Sequence, residues 1–179
     1  GTVAFGYFHP VVVVLLSVLA IYLTTEPAHE VEAGLVDLEL ARSVPRHALI
    51  TRSLVAAAVA ISVAAAMMGF GTWLGLRAFA SPSFGAPSAG TIAMLLIHLI
   101  GVAAVFGAGG LAIAAGARRW STAFFAAAFA AVVLYLMDFL SIGWPSMRLI
   151  SWVSPFRYYP ALAIVDYGLY WLLHNVFGI

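Results

Sequence analysis

"TIAMLLIHLIGVAAVFGAGGLAIAAGA", residues 91 to 117, runs for 27 residues without one charged side chain. At a rise of about 1.5 Å per residue, a helix of this length crosses the hydrocarbon core of a bilayer, about 30 Å thick, with residues to spare. The apolar side chains lack the alternation of a barrel strand, so a helix is the form that satisfies this backbone in lipid. The rest of the chain has the same character. Of its 179 residues, 64% are hydrophobic and 8% charged, against roughly 25% charged in soluble domains, and the mean hydropathy is +1.07. Such a composition describes an all-α integral membrane protein with no sizeable soluble domain.

Four further apolar runs extend the pattern, from about Tyr7 to Leu23, Leu54 to Leu76, Thr122 to Leu140 and Ala161 to Ile179. Residues 1 to 179 are therefore expected to form one transmembrane domain of about five spans. The punctuation agrees: "SPSFGAPSAG" (81 to 90) is a turn cluster, "ARRW" (117 to 120) a tight basic connection, and "SIGWPSMRLISWVSPFRYYP" (141 to 160) an aromatic linker. Trp144, Trp152, Phe156, Tyr158 and Tyr159 suit a membrane interface, and Met147, Ile150 and Val153 predict a short amphipathic or re-entrant helix there. Arg42, Arg46, Arg52, Arg118 and Arg119 fall on one side of the membrane; Arg77, Arg148 and Arg157 fall on the other. The positive-inside rule assigns the richer side to the cytoplasm and residue 1 to the outside. Residues 1 to 10 lack a signal-peptide pattern, so a further span is expected upstream of Gly1.

The charge is gathered in one place. Residues 26 to 52 hold eight of the fifteen charged side chains, each of which would cost about 2.5–3.5 kcal/mol at the bilayer centre. The segment 26 to 48 therefore reads as a cytoplasmic excursion. Val31, Leu35 and Leu38 share a helical face, Pro27 suits a first turn, the acids come early, and Arg42 comes last, as a helix dipole prefers. This predicts an amphipathic helix over about 28 to 41, a break near 42 to 45, and a restart capped by Ser43 with Pro45 in its first turn.

Glu30, Glu32, Gly34, Asp37, Leu38, Leu40, Ala41, Pro45 and Arg46, followed by Leu49, Ile50 and Arg52, resemble the cytoplasmic signature of type-2 ABC transporter permeases. That signature has an acidic pair, a glycine, a leucine-rich patch and a "PxxR" or "PvxR" ending before the next span; here the ending is "SVPRHALITR". A second stretch, "ISWVSPFRYYPAL" (150 to 162), is similar to the "lSPFxYxxP" segment such permeases carry outside, before their last span. The two motifs cover about thirty residues and stand in the family's order, three spans apart. The resemblance implies that the charged segment is a coupling helix docking in a groove of an ATPase subunit. The residues it assigns to that contact are Glu30, Val31, Glu32, Gly34, Leu35, Asp37, Leu38, Arg42, Pro45 and Arg46. It further implies an external gate of Trp152, Ser154, Pro155, Phe156 and Tyr158, pairing with a second permease copy or a homologue, and export. ATP and magnesium would sit on the partner ATPase. The chain departs from the family in lacking the first of six helices, in carrying Arg52 where Lys is common, and in ending at "HNVFGI" without a basic tail.

Other chemistries find little support. A net charge of +1 offers no basic surface for nucleic acid, and the absence of cysteine excludes disulfides and thiolate metal sites. No GxSxG, Walker A or HExxH motif occurs, so no catalytic role, metal site or resident cofactor is expected. "GAGG" (107 to 110) lies inside a span and serves packing. The ridges Ala104, Ala108, Ala112, Gly116 and Ala56, Ala60, Ala64 read as packing seams, within the subunit or across a dimer. Asp138 reads foremost as an interfacial acid reaching the headgroups, and His98 as a helix-to-helix hydrogen bonder or a pore-lining group; both are weak candidates for a substrate path. A function of another class is a non-catalytic subunit of a redox or photosynthetic membrane complex. The Ala- and Arg-rich, Lys-free composition points to a bacterial inner membrane.

Overall fold

The apolar runs become helices with few surprises at their outer limits. The structure, a computed structural model, describes residues 9–34, 46–79, 87–117, 119–144, 146 and 148–159. Helix α1 spans Pro10–Glu32, α2 Arg46–Phe79, α3 Ala89–Gly116 and α4 Trp120–Gly143. All four are long and apolar enough to cross a membrane, with mean hydropathies of 2.0, 2.1, 2.3 and 2.2 over their most apolar windows. This is the build of a multi-pass membrane protein, and no strand occurs among the described residues. The expected fifth span, 161 to 179, and residues 35 to 45 lie outside the described residues, so four spans stand against about five expected.

Two local features correct the reading of the charged segment. Helix α1 passes through Pro27 and continues to Glu32, so no separate helix starts near residue 28. An interior proline removes a backbone donor and costs roughly 3 kcal/mol; the contacts of Glu30 and Glu32, described below, offset part of that cost. Gly34 then ends the helical path. Its φ of +72° is the left-handed conformation that favours glycine. The N–H of Ala33 donates to the His29 carbonyl at 2.9 Å and that of Gly34 to the Val31 carbonyl at 3.1 Å, closing the last turn. Val31 lies in the last turn of α1, whereas Leu35 and Leu38, expected on the same face, lie outside the described residues.

Helix α1 is the centre of the bundle and touches α2, α3 and α4. Its closest neighbour is α3, which runs in the same direction. The approach depends on two glycines. A Cβ on Gly107 would stand 3.4 Å from Ala20 Cβ and Thr24 Cγ2, and one on Gly110 would stand 3.3 Å from the Ile21 Cα and 3.2 Å from Thr24 Oγ1. In lipid there is no hydrophobic drive between helices, so such backbone proximity and its dispersion contacts hold them together. "GAGG" does serve packing.

The buried small-residue seams lie one or two positions away from the two expected. Ala103, Gly107, Gly110 and Ala114 face the interior of α3, while Ala104, Ala108, Ala112 and Gly116 are exposed on the single chain. On α2, Ser53, Ala57, Ile61 and Ala65 are buried instead of Ala56, Ala60 and Ala64. Polar side chains within the bundle bond back to their own helices: Ser17 Oγ to the Val13 carbonyl and Thr24 Oγ1 to the Ala20 carbonyl, both at 2.8 Å. Large apolar side chains point outward along α2 (Val55, Val59, Val63, Met67) and α4 (Phe125, Phe129, Leu136, Phe139). Exposed apolar faces of this size mark contact with a membrane or with another protein.

Candidate functional site

Where α1 ends, α2 and α4 begin, and two carboxylates tie the three together. Arg52 on α2 forms an ion pair with Glu30 on α1. Glu32 accepts the backbone N–H of Trp120, the first residue of α4, at 2.8 Å. Helix α4 has no side-chain cap of its own at Arg119, so the Glu32 carboxylate supplies one from another helix. Negative charge there also opposes the positive end of the helix dipole. His29 packs its ring on Trp120 at 5.4 Å, and Trp120 stacks on Phe124 at 5.4 Å. Glu32→Ala is expected to lower stability by about 1 kcal/mol, with Glu32→Gln, which keeps an acceptor oxygen, losing less. Unfolding in mixed micelles by titration with a denaturing detergent measures both.

The acids read as a surface for a partner are thus engaged within the chain. Among the other residues the resemblance assigns to an ATPase, Val31 is exposed, Gly34 forms the turn, and Arg46 heads α2. Leu35, Asp37, Leu38, Arg42 and Pro45 lie outside the described residues.

The opposite end is built by the linker. The expected amphipathic helix at the surface is replaced by two short 3₁₀ turns, Ile150–Val153 and Pro155–Tyr158. They fold back into the bundle. Ser154 Oγ donates to the Leu134 carbonyl at 2.9 Å, nine residues, or about 14 Å, below the end of α4. Phe156 stacks on Phe106 of α3 at 4.8 Å and meets Tyr135 of α4 edge-on at 5.3 Å. Phe156 and Tyr159 are fully buried.

Of the five residues read as an external gate, Ser154 and Phe156 are buried wedges and Pro155 starts the second turn. Trp152 and Tyr158 stay exposed and are linked by a hydrogen bond from the Tyr158 hydroxyl to the Trp152 carbonyl at 3.1 Å. Ile150 and Val153, expected on one apolar face, are exposed. Arg157 holds the turn from within: its Nη1 donates to Ser151 Oγ at 2.6 Å, and its guanidinium lies 4.7 Å over Trp152. Truncating Phe156 to Ala removes both ring contacts and leaves a cavity. We expect a loss of about 3 kcal/mol, the lower part of the range for buried aromatics because lipid, unlike water, exerts no hydrophobic drive. The same detergent titration reads it.

The two weak candidates for a substrate path separate. Asp138 is buried within α4 rather than exposed at the surface as an interfacial acid would be. His98 is half-buried, and its Nδ1 lies 2.8 Å from the Met94 carbonyl of its own helix, so it bridges no other helix through that atom. Among the described residues no three His, Asp or Glu side chains gather as a metal site would require. Residues that the sequence alone left unmarked include Phe106, Tyr135 and the Trp120 N–H; "SPF", a hydroxyl followed by proline, was the available signal for the turn that seats Phe156. Comparison with known proteins yields no match among family models, curated proteins or solved structures.

Proposed function

We propose that this chain is a membrane-spanning permease subunit of an ATP-driven ABC transporter, of the exporter kind, in a bacterial inner membrane. Two copies, or one copy and a homologue, form the path, and separate ATPase subunits holding ATP and magnesium drive it. The chain itself does no catalysis. The observation that carries this reading is the location of its two motifs. "EVEAG" (30 to 34) lies where three helix ends meet, and "SPFRY" (154 to 158) is folded into the other end of the bundle.

The geometry supports a mechanical role. The Glu30–Arg52 and Glu32–Trp120 contacts join α1, α2 and α4 just before the chain enters residues 35 to 45, the segment an ATPase would grip. Displacement of that segment moves three helix ends together. The clamp is easily opened, because Arg52 is about half exposed and the second Glu30 oxygen is buried without a hydrogen bond; an ion pair this accessible contributes about 1 kcal/mol or less. Movement of α1 passes to α3 through Gly107 and Gly110, and α3 carries Phe106, on which Phe156 rests. A contiguous packed route thus runs from one motif to the other. The outward ridge of Ala104, Ala108 and Ala112 suits a second subunit.

The test is a mild-detergent pull-down of the tagged full-length chain with mass spectrometry of what co-purifies. Recovery of an ATPase with a Walker motif is the expected result. Recovery of cofactor-bearing membrane subunits with no ATPase would overturn the reading in favour of a redox or photosynthetic complex.

A further inference from the structure

A cleft of about 580 Å³ opens between α2 and α3 toward their Phe79 and Ala89 ends. Ala66, Gly69, Phe70 and Trp73 wall it on α2, Leu96 faces them from α3, and Arg77 stands at its mouth. The helices are close at its floor: a Cβ on Gly69 would come within 2.7 Å of Leu96 Cδ1. Above that point the walls are apolar. Phe70 stacks on Trp73 at 5.9 Å, and the Arg77 guanidinium lies 4.6 Å over the Trp73 ring. Arg77 is exposed, and no carboxylate among the described residues pairs with it.

We propose that this cleft holds one acyl chain of an anionic phospholipid, with the lipid phosphate bound by Arg77. Depth is the first argument. The eleven residues from Ala66 to Arg77 rise about 16 Å, which is one leaflet of a hydrocarbon core about 30 Å thick. A cleft of that depth takes an acyl tail and sets Arg77 at the level of the headgroups, where a Trp beside it also belongs. Charge is the second. A guanidinium offers paired donors that match phosphate oxygens and is weakly hydrated, so it prefers a phosphate to water more than an ammonium does. An anionic headgroup leaves a net negative charge on the lipid where a zwitterionic one does not. The proposal does not depend on the permease reading and needs only that the helices cross a bilayer.

The full-length chain in detergent micelles is titrated with phosphatidylglycerol brominated on its acyl chains, and separately with brominated phosphatidylcholine. Quenching due to Trp73 is obtained by difference from Trp73→Phe. Phosphatidylglycerol is expected to quench with an apparent affinity about tenfold higher than phosphatidylcholine, the equivalent of one charge-assisted contact. Arg77→Gln should erase that preference, Arg77→Lys, which keeps the charge but loses the paired donors, should keep only part of it, and Ala93→Phe, which fills the cleft, should reduce quenching by both lipids. Each variant is first checked for a monodisperse size-exclusion peak. Equal quenching by the two lipids, unchanged by Arg77→Gln, would overturn the proposal in favour of ordinary annular lipid. Absence of quenching by either lipid would overturn it in favour of a protein segment over the cleft.

Discussion

Gly110→Leu is expected to abolish the folded protein, read as loss of at least nine-tenths of the monodisperse peak on size exclusion in mild detergent, an outcome of the order expected from a penalty above about 3 kcal/mol. The reason lies in what the new side chain would meet. Ordinary overpacking costs about 1–3 kcal/mol because neighbouring side chains turn aside. At Gly110 the first added carbon would stand 3.2 Å from Thr24 Oγ1 and 3.3 Å from the Ile21 Cα, and while a side chain can turn aside the Ile21 backbone cannot. Helix α1 would have to move, and α1 contacts α2, α3 and α4. Gly109→Leu is the control. Nothing lies within 4 Å of a Cβ at Gly109 and the residue is exposed, so its peak should be unchanged. Equal loss in both variants would mean that leucine harms α3 for reasons unrelated to the α1 contact.

The contrast between Gly109 and Gly110 also shows why sequence alone does not say which small-residue ridge faces the bundle. A helix that is apolar all round carries no polar stripe to mark its outside, and α3 bears two neighbouring small-residue ridges, Ala103 to Ala114 and Ala104 to Gly116. Periodicity finds both equally. Only Ile21 and Thr24 on α1, remote in sequence, select the inner one. The spans themselves were legible because hydropathy is a one-body property, and the four helix limits agree with it apart from polar extensions at α1 and α2. Pro27 was misleading for a related reason. Its preference for a first turn is local, whereas the Glu30 and Glu32 contacts that carry α1 past it come from α2 and α4. The linker was legible as a linker, but the depth to which it folds depends on the Leu134 carbonyl and on Phe106, which no local pattern connects to it.

Leu38→Glu is expected to eliminate ATPase from the pull-down, while Glu32→Ala leaves the ATPase bound and weakens its coupling to the bundle. The difference follows from where the acids are. If the resemblance to type-2 ABC permeases holds, the contact extends from Glu30 to Arg46, yet Glu30 and Glu32 are occupied by Arg52 and the Trp120 N–H. Their carboxylates are committed to holding helix ends, which leaves the leucines, with Leu38 central, to fill an apolar groove. A carboxylate placed there is buried without a partner, at a cost of about 3 kcal/mol or more, which is over a hundredfold in affinity. Glu32→Ala removes no docking group; it loosens the α1 to α4 junction, so stimulated ATP hydrolysis should persist while its response to transport substrate declines. Insertion and the monodisperse peak should survive Leu38→Glu, since that substitution adds charge to a segment already rich in it. An ATPase retained at full yield by Leu38→Glu but lost with Glu32→Ala would reverse the assignment, making the acids the docking group and the clamp incidental.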